Sequence, residues 1–144
     1  MPVEVSTSFK MIVYQNSLIT IAYMADTDIL SVDLASFEPY AALEIKEAIQ
    51  IVVETLSNYK NKYLLLDASK ISTTMPDADY REVINHFVSV IGQTNLQKVA
   101  RIITSDPLRE EVVYTMRENL FLPFQLHDFV SKDEAMHWLT FERN

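Results

Sequence analysis

The stretch Tyr63-Leu64-Leu65-Leu66-Asp67-Ala68-Ser69-Lys70-Ile71-Ser72-Thr73-Thr74-Met75-Pro76-Asp77-Ala78-Asp79 decides the fold. Tyr63 to Leu66 is a short, continuous apolar run closed by a carboxylate, the pattern of a strand covered on both faces. Pro76 with Asp77 and Asp79 then opens a helix, because proline suits the first helical position and acidic side chains complement the positive end of the helix dipole. Val83, Ile84, Phe87 and Ile91 give that helix an apolar side, and Gly92 supplies a stop. A buried strand feeding a helix is half of a parallel crossover unit, so its neighbours should be found on either side in the chain.

Downstream, Val99 to Thr104 reads as another buried strand. Ser105-Asp106-Pro107 provides a cap and a first-turn proline for a helix reaching about Asn119, with Leu108, Val112 and Met116 as its stripe. Phe124 to Val130 is a last strand, and Ser131-Lys132-Asp133-Glu134 fits a capping box for a terminal helix docked by Met136, Trp138 and Leu139. Upstream, Tyr40 to about Ser57 carries apolar residues at helical spacing. Before it, Phe9, Met11 and Val13 alternate with Lys10, Ile12 and Tyr14, and Leu18 to Met24 follows the polar break at residues 15–17. After the tip Asp26-Thr27-Asp28, Leu30, Val32 and Leu34 alternate with Ser31 and Asp33, which predicts one face in the core and one in water. The expected fold is α/β: an N-terminal antiparallel β-meander continuing into a mixed sheet with βα units, about six strands and four helices, with residues 1–144 as a single domain.

Composition narrows the chemistry. The chain of 144 residues has no cysteine, which removes disulfides, thiolate metal sites and cysteine nucleophiles together. Its net charge of -8, with twelve scattered Lys and Arg, disfavours nucleic acid as a partner. Gly92 is the one glycine, and phosphate-cradling loops need several. No apolar run is long enough to span a membrane, and the start Met1 to Lys10 does not read as a secretion signal, so a cytoplasmic protein is expected. His86, His127 and His137 lack the spacing of a helical zinc site, and no metal or cofactor is expected. The Asp26 and Asp28 carboxylates read as solvated turn residues.

The element order, Tyr63 to Asp67 with the following loop and helix, and the closing stretch Phe129 to Leu139 together resemble the STAS domains. These form the anti-sigma-factor-antagonist group, and the similarity is greatest to its SpoIIAA-like bacterial members. The resemblance implies a non-enzymatic regulatory module acting through protein contacts. In the group's best-understood members, a serine at the start of the helix after the central strand is phosphorylated by a partner kinase. Aligned from Asp67 without gaps, this chain puts Pro76 at the phosphoacceptor, Met75 before it and Asp77 after it. Proline carries no hydroxyl, so the usual switch does not transfer.

What remains at that place is a candidate binding or regulatory set: Asp67, Ser69, Ser72, Thr73, Thr74 and Asp77. Ser and Thr are also ordinary turn residues. Asp77 would supply permanently the charge that phosphorylation adds at a helix N-terminus. Tyr40, Tyr59, Tyr80 and Tyr114 fall near helix ends or polar faces, where exposed tyrosines favour interfaces. The expected partner is another protein or a second copy, in a homo-oligomer. The alternative is a small apolar, lipid-like ligand, since the SpoIIAA-like group resembles in fold the lipid-binding CRAL-TRIO domains. A contiguous apolar cavity would favour the ligand, and a flat apolar patch the protein partner.

Overall fold

The computed structural model describes residues 10–38 and 40–141. Among them, six strands and four helices follow in the order β1 (Met11–Gln15), β2 (Ile19–Met24), β3 (Ile29–Leu34), α1 (Ala42–Tyr59), β4 (Tyr63–Asp67), α2 (Asp77–Ile91), β5 (Lys98–Ile102), α3 (Pro107–Arg117), β6 (Gln125–Phe129) and α4 (Lys132–Phe141). The strands form one mixed sheet whose spatial order equals the chain order, β1-β2-β3-β4-β5-β6. β1, β2 and β3 pair antiparallel, and β3 to β6 pair parallel, as meander and crossover units require.

Two cores lie on opposite faces of the sheet. Leu64 and Leu66 point into the larger one with Val32 and Val99, covered by Val52 of α1, Val83 of α2 and Val113 of α3. Tyr63 and Leu65 point the other way, into a smaller cluster under Trp138 and Leu139 of α4. The run at β4 is therefore apolar without alternation because both its faces are covered.

Several sequence expectations shift in detail. The alternation expected from Phe9 to Tyr14 fails: Phe9 lies outside the described residues, Met11 and Ile12 are both exposed, and Val13 and Tyr14 both pack on the larger core. The cause is an irregularity in the β1–β2 register between Ile12 and Tyr14, which resets the alternation of faces. Ser31, expected in water, is buried to 1% exposure, because its face of β3 lies on the α4 side of the sheet. Pro76 is the N-cap of α2 rather than its first residue, and its carbonyl accepts from Tyr80 N at 3.0 Å. Gly92 ends α2 in a right-handed conformation, so left-handed freedom is not its use. A Cβ there would stand 3.0 Å from the Val88 carbonyl and 3.2 Å from Pro123 Cγ, so the missing side chain lets the segment after α3 close on the end of α2. α3 follows the expected Asp106 cap, whose side chain accepts from Leu108 N at 3.0 Å, but ends at Arg117.

Candidate functional site

The segment from β4 to α2 is held by its own side chains. Asp67 accepts from Ser69 N at 2.9 Å and Ser69 Oγ at 2.6 Å, an Asx turn that reverses the chain just past the strand. Thr73 Oγ1 accepts from Met75 N at 3.0 Å, and Thr74 Oγ1 donates to Glu38 at 2.8 Å. Ser36 Oγ donates to the Ser72 carbonyl at 2.7 Å. The Ser69, Thr73 and Thr74 hydroxyls thus fasten this loop to itself and to the segment after β3, a link to which Ser72 contributes its carbonyl.

The six candidate residues do not form one constellation. Asp67 is on the α4 side of the sheet beside its register partner Asp33, and Lys132 stands 3.8 Å from Asp33 and 4.0 Å from Asp67. Two carboxylates paired across neighbouring strands repel, and the ammonium between them offsets that repulsion. Thr73 and Asp77 instead line a groove between the start of α2 and the outer side of α3.

Arg109 of α3 builds that groove. Its guanidinium donates to Asp77 at 3.0 Å, to the Met75 carbonyl at 2.7 Å and to the Thr73 carbonyl at 3.3 Å, and it lies over the Tyr80 ring at 4.8 Å. Its planar fork reaches three acceptors, which a lysine cannot do with the same geometry. Asp77 is consequently a paired carboxylate rather than an isolated negative charge. Tyr80, read from the sequence as a candidate exposed tyrosine, is buried beneath Arg109 and against Phe37. Burial pushes its hydroxyl pKa up, with smaller opposing effects from Arg101 and Arg109. Tyr114 is the most exposed tyrosine of that set, at 67% against 37% for Tyr59, and Leu108 on the same helix is 75% exposed. Both line the groove, whose volume is about 680 Å³. Arg109 escaped the sequence reading, although a signal was present: a cation in the first turn opposes the helix dipole and needs a partner to offset it.

Behind the groove, Arg101 of β5 is 8% exposed and points into the larger core. It donates to both Glu110 carboxylate oxygens and at 3.2 Å to Asp128, which Arg117 also engages at 2.5 Å. Burial alone would lower the Arg101 pKa, but the hydrogen bonds to Glu110 and Asp128 outweigh it and raise the value. For Glu110, burial works to raise the pKa; hydrogen bonds from Arg101 and Thr104 overcome it and hold the carboxyl below its ordinary range. Two cations and two carboxylates leave this cluster neutral.

Beneath α1, α2 and α3 the larger core contains a cavity of about 120 Å³. Apart from Arg101 and Arg117 its walls are apolar, apart from the Tyr80 ring's hydroxyl, so they offer water few partners. Its partly exposed lining side chains include Ile84, Phe87 and Val88 of α2 and Leu120 and Leu122 beyond α3. Among the described residues, no group of three or more His, Asp or Glu could hold a metal ion, and no helix is long and apolar enough to cross a membrane.

No family model matches the chain, and no curated protein matches it. A solved structure does: that of the anti-sigma factor antagonist SpoIIAA in its unphosphorylated form. The chain is similar to SpoIIAA. Identity is 11% with a TM-score of 0.46, and the match covers 88% of this chain and 99% of that one. SpoIIAA represents the group whose resemblance was read from the sequence.

Proposed function

We propose that this chain is a regulatory binding module without chemistry of its own, and that it meets a protein partner at the groove between the start of α2 and α3. The observation that carries the reading is the pair Leu108 and Tyr114, large apolar side chains left in solvent on a groove that Arg109 holds in a fixed shape. A tyrosine beside an aliphatic anchor is the composition of an interface centre. Asp106, Glu111 and Glu118 on the same groove outweigh Arg81 beside them and favour a segment that carries an apolar anchor flanked by basic residues. Thr73 and Asp77 belong to this contact surface, whereas Asp67, Ser69, Ser72 and Thr74 shape the loop behind it. The Ser69 and Thr74 hydroxyls are already bonded to Asp67 and Glu38, which supports a non-catalytic role.

The lipid-carrier alternative calls for a pocket of about 300–1,000 Å³. The interior cavity, at about 120 Å³, is too small for that task. The test is quantitative capture from a lysate with three baits: the wild type, the double variant Leu108→Ser/Tyr114→Ala, and a control changed at the exposed Val130 and Phe141. A protein retained by wild type and control but lost from the groove variant supports the reading, once purified and shown to bind directly. Equal retention by all three overturns it. Sedimentation of the same variants separates a foreign partner from a second copy of this chain.

A further inference from the structure

We propose that the interior cavity is a binding site for a compact, uncharged apolar molecule of about the size of one six-membered ring. The proposal goes beyond the groove and does not depend on it. Size sets the upper limit: a dry cavity of about 150 Å³ lined by Leu, Ile and Phe takes up benzene or xenon, and about 120 Å³ is slightly smaller. A long acyl chain does not fit without expanding the core. Charge sets the second limit. Arg101 and Arg117 are the cations on the wall, and both are engaged by Glu110 or Asp128, so no charge is left over to hold an anionic headgroup.

The walls come from all three helices and the sheet, through Ala48, Val52, Val83, Val99 and Val113 among others. Access lies between the C-terminal half of α2 and the segment 118–124, where the lining residues Ile84, Phe87, Leu120 and Leu122 are only partly covered. That segment has no regular secondary structure, exposes Phe121 to 78%, and rests on the end of α2 through Pro123 and Gly92. An apolar molecule can therefore reach the cavity past side chains that are themselves apolar, without breaking the sheet or a helix.

The test uses the full chain with benzene, toluene and decanoate as probes, read by thermal melting and by methyl NMR of Val52, Val83, Val99 and Val113. The expected result is saturable shifts of those methyl signals with benzene or toluene. The melting temperature should rise by about 3–6 °C at ten times Kd. Ala48→Leu, which fills the cavity, should abolish the shifts while keeping a folded spectrum. Absence of methyl shifts and of a melting change up to benzene saturation in the wild type overturns the proposal, whatever the variant does. Tighter binding of decanoate than of benzene overturns the size and charge assignment.

Discussion

Replacing Arg109 by alanine should detach residues 73–77 from α3, and the contacts set the size of the effect. The ion pair to Asp77 contributes least, about 0.5 kcal/mol, because that carboxylate is 69% exposed. The short bond to the Met75 carbonyl, made by a charged donor, contributes about 1–1.5 kcal/mol, and the longer one to Thr73 less. Stacking on Tyr80 adds about 0.5–1 kcal/mol. The part-buried carbonyls freed can regain some hydration, so a loss of about 2 kcal/mol is expected rather than the full sum. With a urea slope of about 2 kcal/mol/M, the unfolding midpoint should fall by about 1 M. Hydrogen exchange should report the same event locally, through faster exchange at Met75 and Tyr80, whose amides are bonded inside the clamped turn. Arg109→Lys should recover about half, since an ammonium keeps the charge but not the fork. A midpoint within about 0.2 M of wild type, with unchanged exchange at these amides, would refute the clamp.

Three further outcomes can be measured on the same material. Arg101→Met should cost about 3 kcal/mol at pH 7 by urea denaturation, since Glu110 and Asp128 lose their buried partner. In the wild type the folded Glu110 pKa is held below its unfolded value, so its stabilisation is present above about pH 4.3 and is lost as pH falls through the folded value; the variant's deficit should shrink there, and a deficit constant from pH 7 to 3 would contradict this. Asp77→Ala should change stability by only about 0.5 kcal/mol while weakening a groove partner, a split that binding and denaturation curves resolve. Gly92→Ala should destabilise by about 1 kcal/mol, despite its ordinary backbone angles, because the added methyl meets the Val88 carbonyl and Pro123; a gain in urea midpoint would show that Pro123 moves aside freely.

The fold was legible because its signals are local. The unbroken apolar run at Tyr63 to Leu66, the Asp106-Pro107 start and the periodicity of α1 each report burial or capping within a few residues. What escaped the sequence depends on contacts distant along the chain. Arg109 meets residues more than thirty positions away, and no periodicity marks that pairing. The irregularity near Ile12 is set by pairing with β2, so alternation within β1 could not reveal it. Of the candidate set, Asp77 and Thr73 reach the groove, whereas Asp67 lies on the opposite face of the sheet, because successive strand and loop residues diverge as the chain leaves β4. The cavity was beyond reach altogether, since apolar residues that fill a space and apolar residues that surround one have the same composition.

Topology explains why groove and cavity occupy the same side of the molecule. With strands in chain order, each right-handed crossover from β3 to β6 steps in the same direction, so α1, α2 and α3 must all cover one face, and α4, which follows the last strand, is left to cover the other. α2 has 15 residues and α3 has 11, so the two cannot match along their whole length. At their starts, beyond the carboxyl ends of the strands, Arg109 ties them together and the outer face of α3 makes the groove. At the far end α3 stops early, and residues 118–124, apolar from Leu120 onward, take the place of a further turn over that end of the cavity. The cavity runs along this seam, from Phe37, Ile71 and Tyr80 beneath the groove end to Leu120 and Leu122 at the other, and the Tyr80 ring separates it from Arg109. Because Arg109 itself does not line the cavity and meets only the groove side of Tyr80, Arg109→Ala should loosen the groove while leaving the benzene-induced methyl shifts at Val52 and Val99 unchanged. If the same substitution also abolished those shifts, the α2–α3 seam would have to move as one rigid unit, and groove and cavity would be a single site.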